Sequence, residues 1–179
     1  MIVLITGGSG SGKSEFAENK TLSLNNDNLI YIATMIPYNE ESLMKIDRHK
    51  KLRENKNFST YECFTNLKEI NIPNNSTVLL DCISNLVANE MFEKEGAKNN
   101  TIDEIIKGIN YLSSISKNLV IVTNEIFSDG IDYDDETMKY IYYCAKINNE
   151  LAKIANEVIE VVYSIPIYHK GGDSNVEFI

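Results

Sequence analysis

A glycine-rich segment directly after a short apolar run limits the folds open to this chain more than any other part of its sequence. Ile2 to Thr6 predict a buried strand, and the pattern G-x-x-x-x-G-K-S/T follows at once. In this pattern, backbone N–H groups and the N-terminus of the next helix surround phosphate oxygens. Lys13 would reach the β- and γ-phosphates, and the Ser14 hydroxyl would bind Mg²⁺. The predicted phosphate-binding loop consists of Gly7, Gly8, Ser9, Gly10, Ser11, Gly12, Lys13 and Ser14.

Two other interpretations of this segment remain open. A glycine-rich turn ending in Lys-Ser arises by chance in roughly one chain in a hundred of this length, judged from average residue frequencies. A dinucleotide-binding turn is also glycine-rich, but the Lys13-Ser14 ending favours the phosphate loop of a nucleoside-triphosphate enzyme.

Short apolar runs alternate with longer helical patterns along the rest of the chain. This alternation predicts an α/β fold, in which helices cover both faces of a mostly parallel sheet, as in three-layer RecA-like P-loop NTPases. The predicted strands are Ile2 to Thr6, Leu29 to Ala33, Val78 to Cys82, Leu119 to Thr123 and Val158 to Val162. The predicted helices are Lys13 to Leu24, Glu40 to Arg53, Ser84 to Lys94, Ile102 to Ser116 and Asp135 to Asn156.

Weaker signals concern the ends of these elements. Phe58 to Cys63 and the tail after Pro166 could add edge strands. Thr101 and Glu104 have the spacing of a capping box at a helix start. Residues 25–28 and 73–76 are rich in turn formers and predict connections between elements.

The chain length and the net charge limit the classes of protein to which this sequence can belong. The 179 residues are predicted to form one domain, 1–179, and the net charge of −9 has the wrong sign for a nucleic-acid binder. No apolar run of 18 residues and no leader-like start are present, so we expect a cytoplasmic protein without a membrane span. The three cysteines form no C-x-x-C pair, which predicts reduced packing residues.

A carboxylate ends one of the predicted buried strands. Asp81 follows Val78-Leu79-Leu80 and is a candidate to hold Mg²⁺ together with Ser14. The alternative is an ordinary acid that caps the helix beginning near Ser84.

Any imidazole chemistry must use one of two histidines, His49 or His169. On a helix, Lys45, His49 and Arg53 share one face, so cations would surround the ring. Nearby positive charge would keep the ring neutral and nucleophilic, and could hold a polyphosphate against it. The alternative is a solvated basic helix with an incidental histidine. We expect His169 to lie at the surface.

Several motifs, in order and over nearly the whole chain, resemble one known family. They are the Thr6-Gly7-Gly8 loop start, Tyr31-Ile32-Ala33-Thr34, Ile46-x-x-His49-Lys50-x-x-Arg53, Thr60-x-Glu62, an acid before Cys82-Ile83, and Val122-Thr123-Asn124-Glu125. This set resembles the bifunctional adenosylcobinamide kinase and adenosylcobinamide-phosphate guanylyltransferase family of cobalamin biosynthesis.

The resemblance implies two reactions at one site. The aminopropanol hydroxyl of adenosylcobinamide would be phosphorylated with ATP or GTP, and GMP would pass from GTP to that phosphate through a guanylylated histidine. His49 matches the family's nucleophile. The resemblance also implies a homo-oligomer such as a trimer, and small-molecule partners: a nucleoside triphosphate and a corrinoid. Besides the loop, it implies nucleotide contacts at Ala33, Thr34, Met35, Lys50, Lys51, Leu52, Arg53, Glu62 and Asp81.

The chain departs from the family pattern at several positions, of which two bear on the predicted site. Asp81 replaces a glutamate, and residues 126–135 are acidic where the family is rich in glycine, proline and arginine. Two other functions remain open: a P-loop kinase of another small metabolite without a covalent intermediate, and a nucleotide-binding module with little turnover. A covalent label on His49 would distinguish the bifunctional kinase and guanylyltransferase from both of these alternatives.

Overall fold

The fold is a seven-stranded sheet with helices on both faces. A computed structural model describes residues 1–24, 28–127, 130–131 and 133–172, with the exception of the Leu52 side chain. The strands are β1 (Ile2–Thr6), β2 (Leu29–Ala33), β3 (Ser59–Glu62), β4 (Thr77–Asp81), β5 (Asn118–Val122), β6 (Glu157–Val162) and β7 (Ile165–Lys170). Their order in the sheet is β3-β2-β4-β5-β1-β6-β7. Strands β1 to β6 are parallel to one another, and β7 runs antiparallel to β6.

Five α-helices join these strands in the described part of the chain: α1 (Lys13–Ser23), α2 (Glu40–Arg53), α3 (Ile83–Phe92), α4 (Thr101–Ile115) and α5 (Asp135–Ile154). Short 3₁₀ turns occupy Leu67–Glu69 and Lys98–Asn100. Helix α1 packs on one face of the sheet, and α3, α4 and α5 pack on the other. Within the residues described, no helix has both the length and the apolar character needed to cross a membrane.

The strand register brings three predicted site residues to one edge of the sheet. Ala33 pairs with Glu62 on one side and with Asp81 on the other, and Asp81 pairs with Val122. All four residues lie at the carboxyl ends of parallel strands. Ligands of open α/β sheets bind at this edge.

The α/β class and the five predicted strands are confirmed, and so are the two weaker edge strands, as β3 and β7. The predicted capping box was wrong. Thr101 is the first residue of α4 and its hydroxyl donates to the Lys98 carbonyl, while Glu104 pairs with Lys68. The capping box lies instead at the start of α2, where Asn39 and Ser42 exchange hydrogen bonds. Residues 25–27 of the predicted turn lie outside the described residues.

Candidate active site

The glycine-rich segment forms a loop between β1 and α1. Gly7, Gly10 and Gly12 have φ angles of 152°, 72° and 89°, which other residues rarely adopt. A Cβ atom at Gly7 would lie 2.5 Å from the Val161 carbonyl oxygen, and one at Gly12 would lie 2.5 Å from the Ser164 hydroxyl oxygen. The loop is therefore packed against β6 and the turn that follows it, and glycine alone fits at Gly7 and Gly12.

Lys13 lies at the start of α1 and folds back over the loop. The residue is only 9% exposed, and its ammonium group donates to the Gly8 carbonyl at 3.1 Å. Burial lowers the pKa of Lys13, while the nearby Cys82 and Asp81 act in the opposite direction. An ammonium group that has already lost much of its water binds an anionic phosphate at a smaller desolvation cost.

Asp81 contacts two side chains on different elements. The Tyr31 hydroxyl donates to its Oδ2 at 2.8 Å, and the Nδ1 atom of His49 lies 3.3 Å from the same oxygen. Burial and, to a lesser degree, the charge of Asp81 raise the pKa of Tyr31 well above its ordinary value. Asp81 does not cap α3, since the N-cap residue is Cys82.

Arg53 ends α2 and is buried against β2. Its guanidinium carbon lies 3.3 Å from the centre of the Tyr31 ring, and its Nη1 lies 3.9 Å from Glu18. The side chain is 6% exposed, and its Nε and Nη1 atoms have no hydrogen-bond partner among the residues described. A buried guanidinium with unused donors is suited to binding phosphate oxygens.

A cleft of about 600 Å³ brings most of the predicted site residues together. The predicted residues that line it are Ser9, Gly10, Ser11, Gly12, Lys13, Ser14, Ala33, Met35, His49, Lys50, Arg53, Glu62 and Asp81. The predicted residues that stand outside this lining are Gly7, Gly8, Thr34 and Lys51. The side chain of Leu52 lies outside the described part of the structure.

Thr34 has a structural task at this edge of the sheet. Its hydroxyl oxygen accepts from the Cys82 N–H at 2.7 Å, and its hydroxyl donates to the Cys82 carbonyl oxygen at 2.9 Å. The side chain is fully buried. Thr34 therefore joins the end of β2 to the end of β4 and supports Asp81 from behind the cleft.

The predicted cations of α2 lie in the same cleft as His49, and the structure adds a carboxylate that was not predicted. Lys45, Arg48, Lys50 and Arg53 all line this cleft, although Lys45 pairs with Glu41 at 2.6 Å and Arg53 packs on Tyr31. The charged group that contacts the ring is the carboxylate of Asp81. Helix periodicity reveals which residues share a face but not what that face packs against.

Sequence reasoning gave no role to Tyr31, although its ring contacts Arg53 and its hydroxyl contacts Asp81. Its signal was its place in the Tyr31-Ile32-Ala33-Thr34 motif at the end of a strand. Asn124 was also missed. It lines the cleft after β5, where its amide donates to the Ser84 hydroxyl.

The donors in this cleft fit Mg²⁺ bound together with phosphates. Ser14 and Asp81 both line the cleft and offer oxygen atoms, which Mg²⁺ prefers, and the cation usually keeps several waters and takes few protein ligands. The described residues contain no group of three or more His, Cys, Asp or Glu side chains that could hold a metal by themselves. Magnesium bound here would therefore depend on nucleotide oxygens as well.

Comparison with known proteins identifies the family. The model of the family described as cobinamide kinase / cobinamide phosphate guanyltransferase matches residues 3–168. The chain belongs to this family. It is therefore an enzyme of the bifunctional cobinamide kinase and guanyltransferase family, and the resemblance found in the sequence is confirmed.

Two curated members of the family are similar to the chain over almost their full length. They are the bifunctional adenosylcobalamin biosynthesis proteins CobU of Escherichia coli (strain K12) and of Salmonella typhimurium (strain LT2). Each is 29% identical over 181 residues, an alignment that covers 93% of this chain and 98% of the relative.

Solved structures share the fold at low identity. The flagellar accessory protein FlaH of Methanocaldococcus jannaschii matches with a TM-score of 0.51 and 12% identity, over 94% of this chain and 77% of that one. A prototypical ATPase from the type III secretion system of pathogenic bacteria also matches with a TM-score of 0.51 and 12% identity, over 89% and 51%. These similarities concern the fold alone, and they confirm the predicted three-layer P-loop architecture.

Proposed function

We propose that this enzyme phosphorylates adenosylcobinamide and then transfers GMP from GTP to adenosylcobinamide phosphate, with His49 as the residue that carries GMP. The observation that carries the proposal is the position of His49. Its ring lines the same cleft as the phosphate-binding loop and contacts Asp81, at the end of strand β4. A nucleotide in the loop would therefore have an imidazole beside its phosphates. Family membership supports the same pair of reactions.

In the kinase step, the loop would hold the triphosphate of ATP or GTP. Backbone N–H groups of Ser9 to Gly12 and the N-terminus of α1 would bind phosphate oxygens, and Lys13 would neutralise charge that develops on the transferred group. The acceptor hydroxyl of adenosylcobinamide would attack the γ-phosphorus, and the nucleoside diphosphate would leave. The described geometry supports positioning and charge neutralisation as the enzyme's main contributions.

In the guanylyl step, His49 would act as the nucleophile. A ring nitrogen would form a bond to the α-phosphorus of GTP, and the bond to the bridging oxygen would break, so that pyrophosphate leaves with the electron pair. An oxygen of adenosylcobinamide phosphate would then attack the same phosphorus and return the electron pair to the ring. Arg53, with its unused donors, and Lys50 would stabilise the charge on the phosphates.

Ser14 and Asp81 would hold Mg²⁺, which when bound would supply further neutralisation of phosphate charge. The other nucleotide contacts that we propose come from the strand ends. Ala33, Met35 and Glu62 line the cleft beyond the phosphate loop. Gly7, Gly8 and Thr34 stand outside this lining, and their part would be to shape the loop and the edge of the sheet. Lys51 is exposed on α2, outside the same lining, so a contact from it to the nucleotide would come from the rim of the cleft.

We further propose that residues 1–179 act as one catalytic domain, that the protein works in the cytoplasm and that it assembles as a homo-oligomer such as a trimer. The corrinoid acceptor would meet a different surface from that of the typical family member, because residues 126–135 are acidic here. Residues 128, 129 and 132 of that stretch lie outside the described part of the structure.

Covalent labelling with GTP carrying radioactive phosphorus at the α-position tests the proposal. The purified protein, a His49→Ala variant and a His169→Ala variant are each incubated with Mg²⁺ and labelled GTP, and then separated under denaturing conditions. His169 is the matched control, because it is the other histidine and its side chain is 52% exposed on β7, paired with Glu160. We expect an acid-labile, base-stable label on wild type and on His169→Ala, and none on His49→Ala.

Two results would contradict the proposal. A label that persists in His49→Ala would place the intermediate on another residue. No label on wild type, with GTP still bound, would leave a P-loop kinase of another metabolite or a nucleotide-binding module. Formation of adenosylcobinamide phosphate by His49→Ala would show separately that the kinase step does not need the imidazole.

A further inference from the structure

A buried carboxylate on α1 contacts the end of α2 and the turn that follows it. Glu18 is only 2% exposed, and the ammonium group of Lys56 donates to its Oε2 at 2.6 Å. The other oxygen, Oε1, lies 3.9 Å from Nη1 of Arg53, an ion-pair contact without a hydrogen bond. A carboxylate is rarely so buried unless cations pair with it. Glu18 therefore joins the helix of the phosphate loop to the end of α2.

Arg53 is held from two directions. Its guanidinium carbon lies 3.3 Å from the centre of the Tyr31 ring, and Glu18 approaches it from α1. Neither contact occupies the Nε and Nη1 atoms, which have no hydrogen-bond partner among the residues described. Stacking on a ring and attraction to a carboxylate both restrict the orientation of a guanidinium. The unused donors are thus held in the wall of the cleft, which Arg53 lines.

The charges of this cluster do not balance. Two cations, Arg53 and Lys56, face the single carboxylate of Glu18, so the three groups together carry one net positive charge. A buried guanidinium with unused donors carries a desolvation cost that a bound anion offsets. We propose that Glu18 is a positioning residue that acts through Arg53 and holds its unused donors toward the phosphates of a bound nucleotide. The inference rests on the nucleotide binding described under the proposed function, and it adds the residue that fixes one of the phosphate contacts.

One helix connects the two cations that would bind phosphate. Helix α1 begins with Lys13, the lysine of the phosphate loop, and Glu18 follows on the same helix roughly one and a half turns later. Most side chains of α2 are exposed, so the buried Arg53 is one of its main attachments to the rest of the fold. His49 lies roughly one turn before Arg53 on α2. Through Arg53, Glu18 thus helps to hold α2 in its position relative to the phosphate loop.

A double-mutant cycle on nucleotide binding tests whether Glu18 acts through Arg53. The ligand is the GTP analogue with a methylene group between the α- and β-phosphorus atoms, which cannot lose pyrophosphate. Calorimetry with Mg²⁺ compares full-length wild type, Glu18→Gln, Arg53→Met and the double variant. We expect each single substitution to weaken binding about 10-fold, the typical effect of losing one hydrogen bond to a charged group. The double variant should bind as weakly as Arg53→Met alone, and additive losses would overturn the proposal.

Guanosine distinguishes a lost phosphate contact from a deformed cleft, because it contains no phosphate. Wild type and Glu18→Gln should bind guanosine equally, and a loss as large as that for the analogue would show that Glu18 is only structural. Glu54→Gln is the matched control, since it removes a carboxylate from an exposed position next to Arg53 in the sequence and should change neither affinity. Circular dichroism checks the folding of each variant. If Glu18→Gln does not fold, Glu18→Asp, which keeps the charge at a shorter reach, replaces it in the cycle.

Lys56→Met tests the alternative that Glu18 serves only to pair Lys56. This substitution breaks the 2.6 Å ion pair and leaves the carboxylate and Arg53 in place. We expect its affinity for the analogue to stay close to that of wild type, and a loss equal to that of Glu18→Gln would overturn the proposal. None of these measurements needs turnover, so they decide the role of Glu18 even if no guanylylated histidine forms. Failure of wild type to bind the analogue would instead contradict the proposed function, and with it this inference.

Discussion

At the residue scale, the phosphate loop depends on backbone positions that a side chain would block. Gly7 has φ of 152°, and the space beside it is filled by the backbone carbonyl of Val161, which belongs to a buried strand and cannot move without disturbing the sheet. At Gly8, the next residue, an added Cβ atom would have no neighbour within 4 Å, and φ lies outside the left-handed region. Adjacent glycines in one motif therefore serve different purposes.

This contrast predicts different outcomes for two neighbouring substitutions. Gly7→Ala should lower the free energy of unfolding by about 1–3 kcal/mol, because the Cβ would meet the Val161 carbonyl oxygen at 2.5 Å and force the loop away from the sheet. It should also weaken GTP binding. Gly8→Ala should change the free energy of unfolding by less than about 0.5 kcal/mol. Urea titrations and nucleotide binding of the two variants test this, and equal losses would contradict the argument.

Sequence reasoning identified the loop and Asp81 because each is encoded locally. The loop needs particular residues at fixed spacing, and Asp81 marks the end of an apolar strand. The contact between Asp81 and His49 could not be read in the same way, since it depends on how α2 packs over the ends of β2 and β4. No role was predicted for Tyr31, although it belongs to a quoted motif, because an aromatic residue in a strand is more often a packing residue.

At the element scale, α2 carries His49 on the one face of the helix that is partly buried. Its capping box at Asn39 fixes the start, and most of its side chains are exposed. Ile46 and His49 are partly buried and Arg53 is buried, and all three line the cleft. The spacing of these three residues is that of one helix face. A single helix face therefore supplies both the proposed nucleophile and a buried guanidinium.

Helix α4 contains a different kind of constraint, a glycine at a close approach. Gly108 is buried, and a Cβ there would lie 2.7 Å from the Cβ of Leu67, in the 3₁₀ turn that packs on this helix. Alanine favours a helix over glycine by about 1 kcal/mol, but overpacking in a core costs about 1–3 kcal/mol. The packing cost should prevail because Leu67 is itself fully buried.

Gly108→Ala should therefore lower the free energy of unfolding, by up to about 2 kcal/mol after the helix preference is subtracted. Asn110→Ala provides the control, since Asn110 lies on the exposed face of the same helix and its replacement should stabilise slightly. Thermal and urea unfolding of both variants give the comparison. A stabilised Gly108→Ala would mean that the 3₁₀ turn moves away at little cost.

The capping-box error on this helix has a physical cause. Threonine favours a helix start, but the spacing of Thr101 and Glu104 does not distinguish a capping residue from the first helical residue. The preceding 3₁₀ turn, Lys98–Asn100, leads directly into α4, and Glu104 binds Lys68 and Lys107 instead of the helix N-terminus. Tertiary contacts of this kind override a local preference.

At the scale of the whole molecule, the two faces of the sheet pack into separate hydrophobic cores, and each core contains at least one cysteine. Cys63 and Cys144 lie in the core under α3, α4 and α5, and Cys82 lies in the core under α1. All three are buried and free, as the sequence predicted for packing residues. Burial raises the pKa of the Cys63 and Cys82 thiols to about 11 and that of Cys144 to about 12.

These thiols should react slowly with alkylating reagents in the native protein near pH 8, for two reasons. The reactive species is the thiolate, and a pKa raised to about 11 or above leaves almost all of each group protonated. Burial also excludes the reagent. Labelling should thus follow opening of the fold, and rise steeply in urea as unfolding restores exposure and an ordinary thiol pKa.

Mass spectrometry of each cysteine after timed alkylation measures whether the two cores open together. If the molecule opens as one unit, all three thiols should gain label at similar rates, whichever face of the sheet they lie on. Faster labelling of Cys82 alone would indicate local opening at the cleft, since Cys82 borders it, and saturating GTP with Mg²⁺ should then slow that cysteine selectively. Fast labelling of Cys63 or Cys144 in native protein would contradict the closed core on the other face.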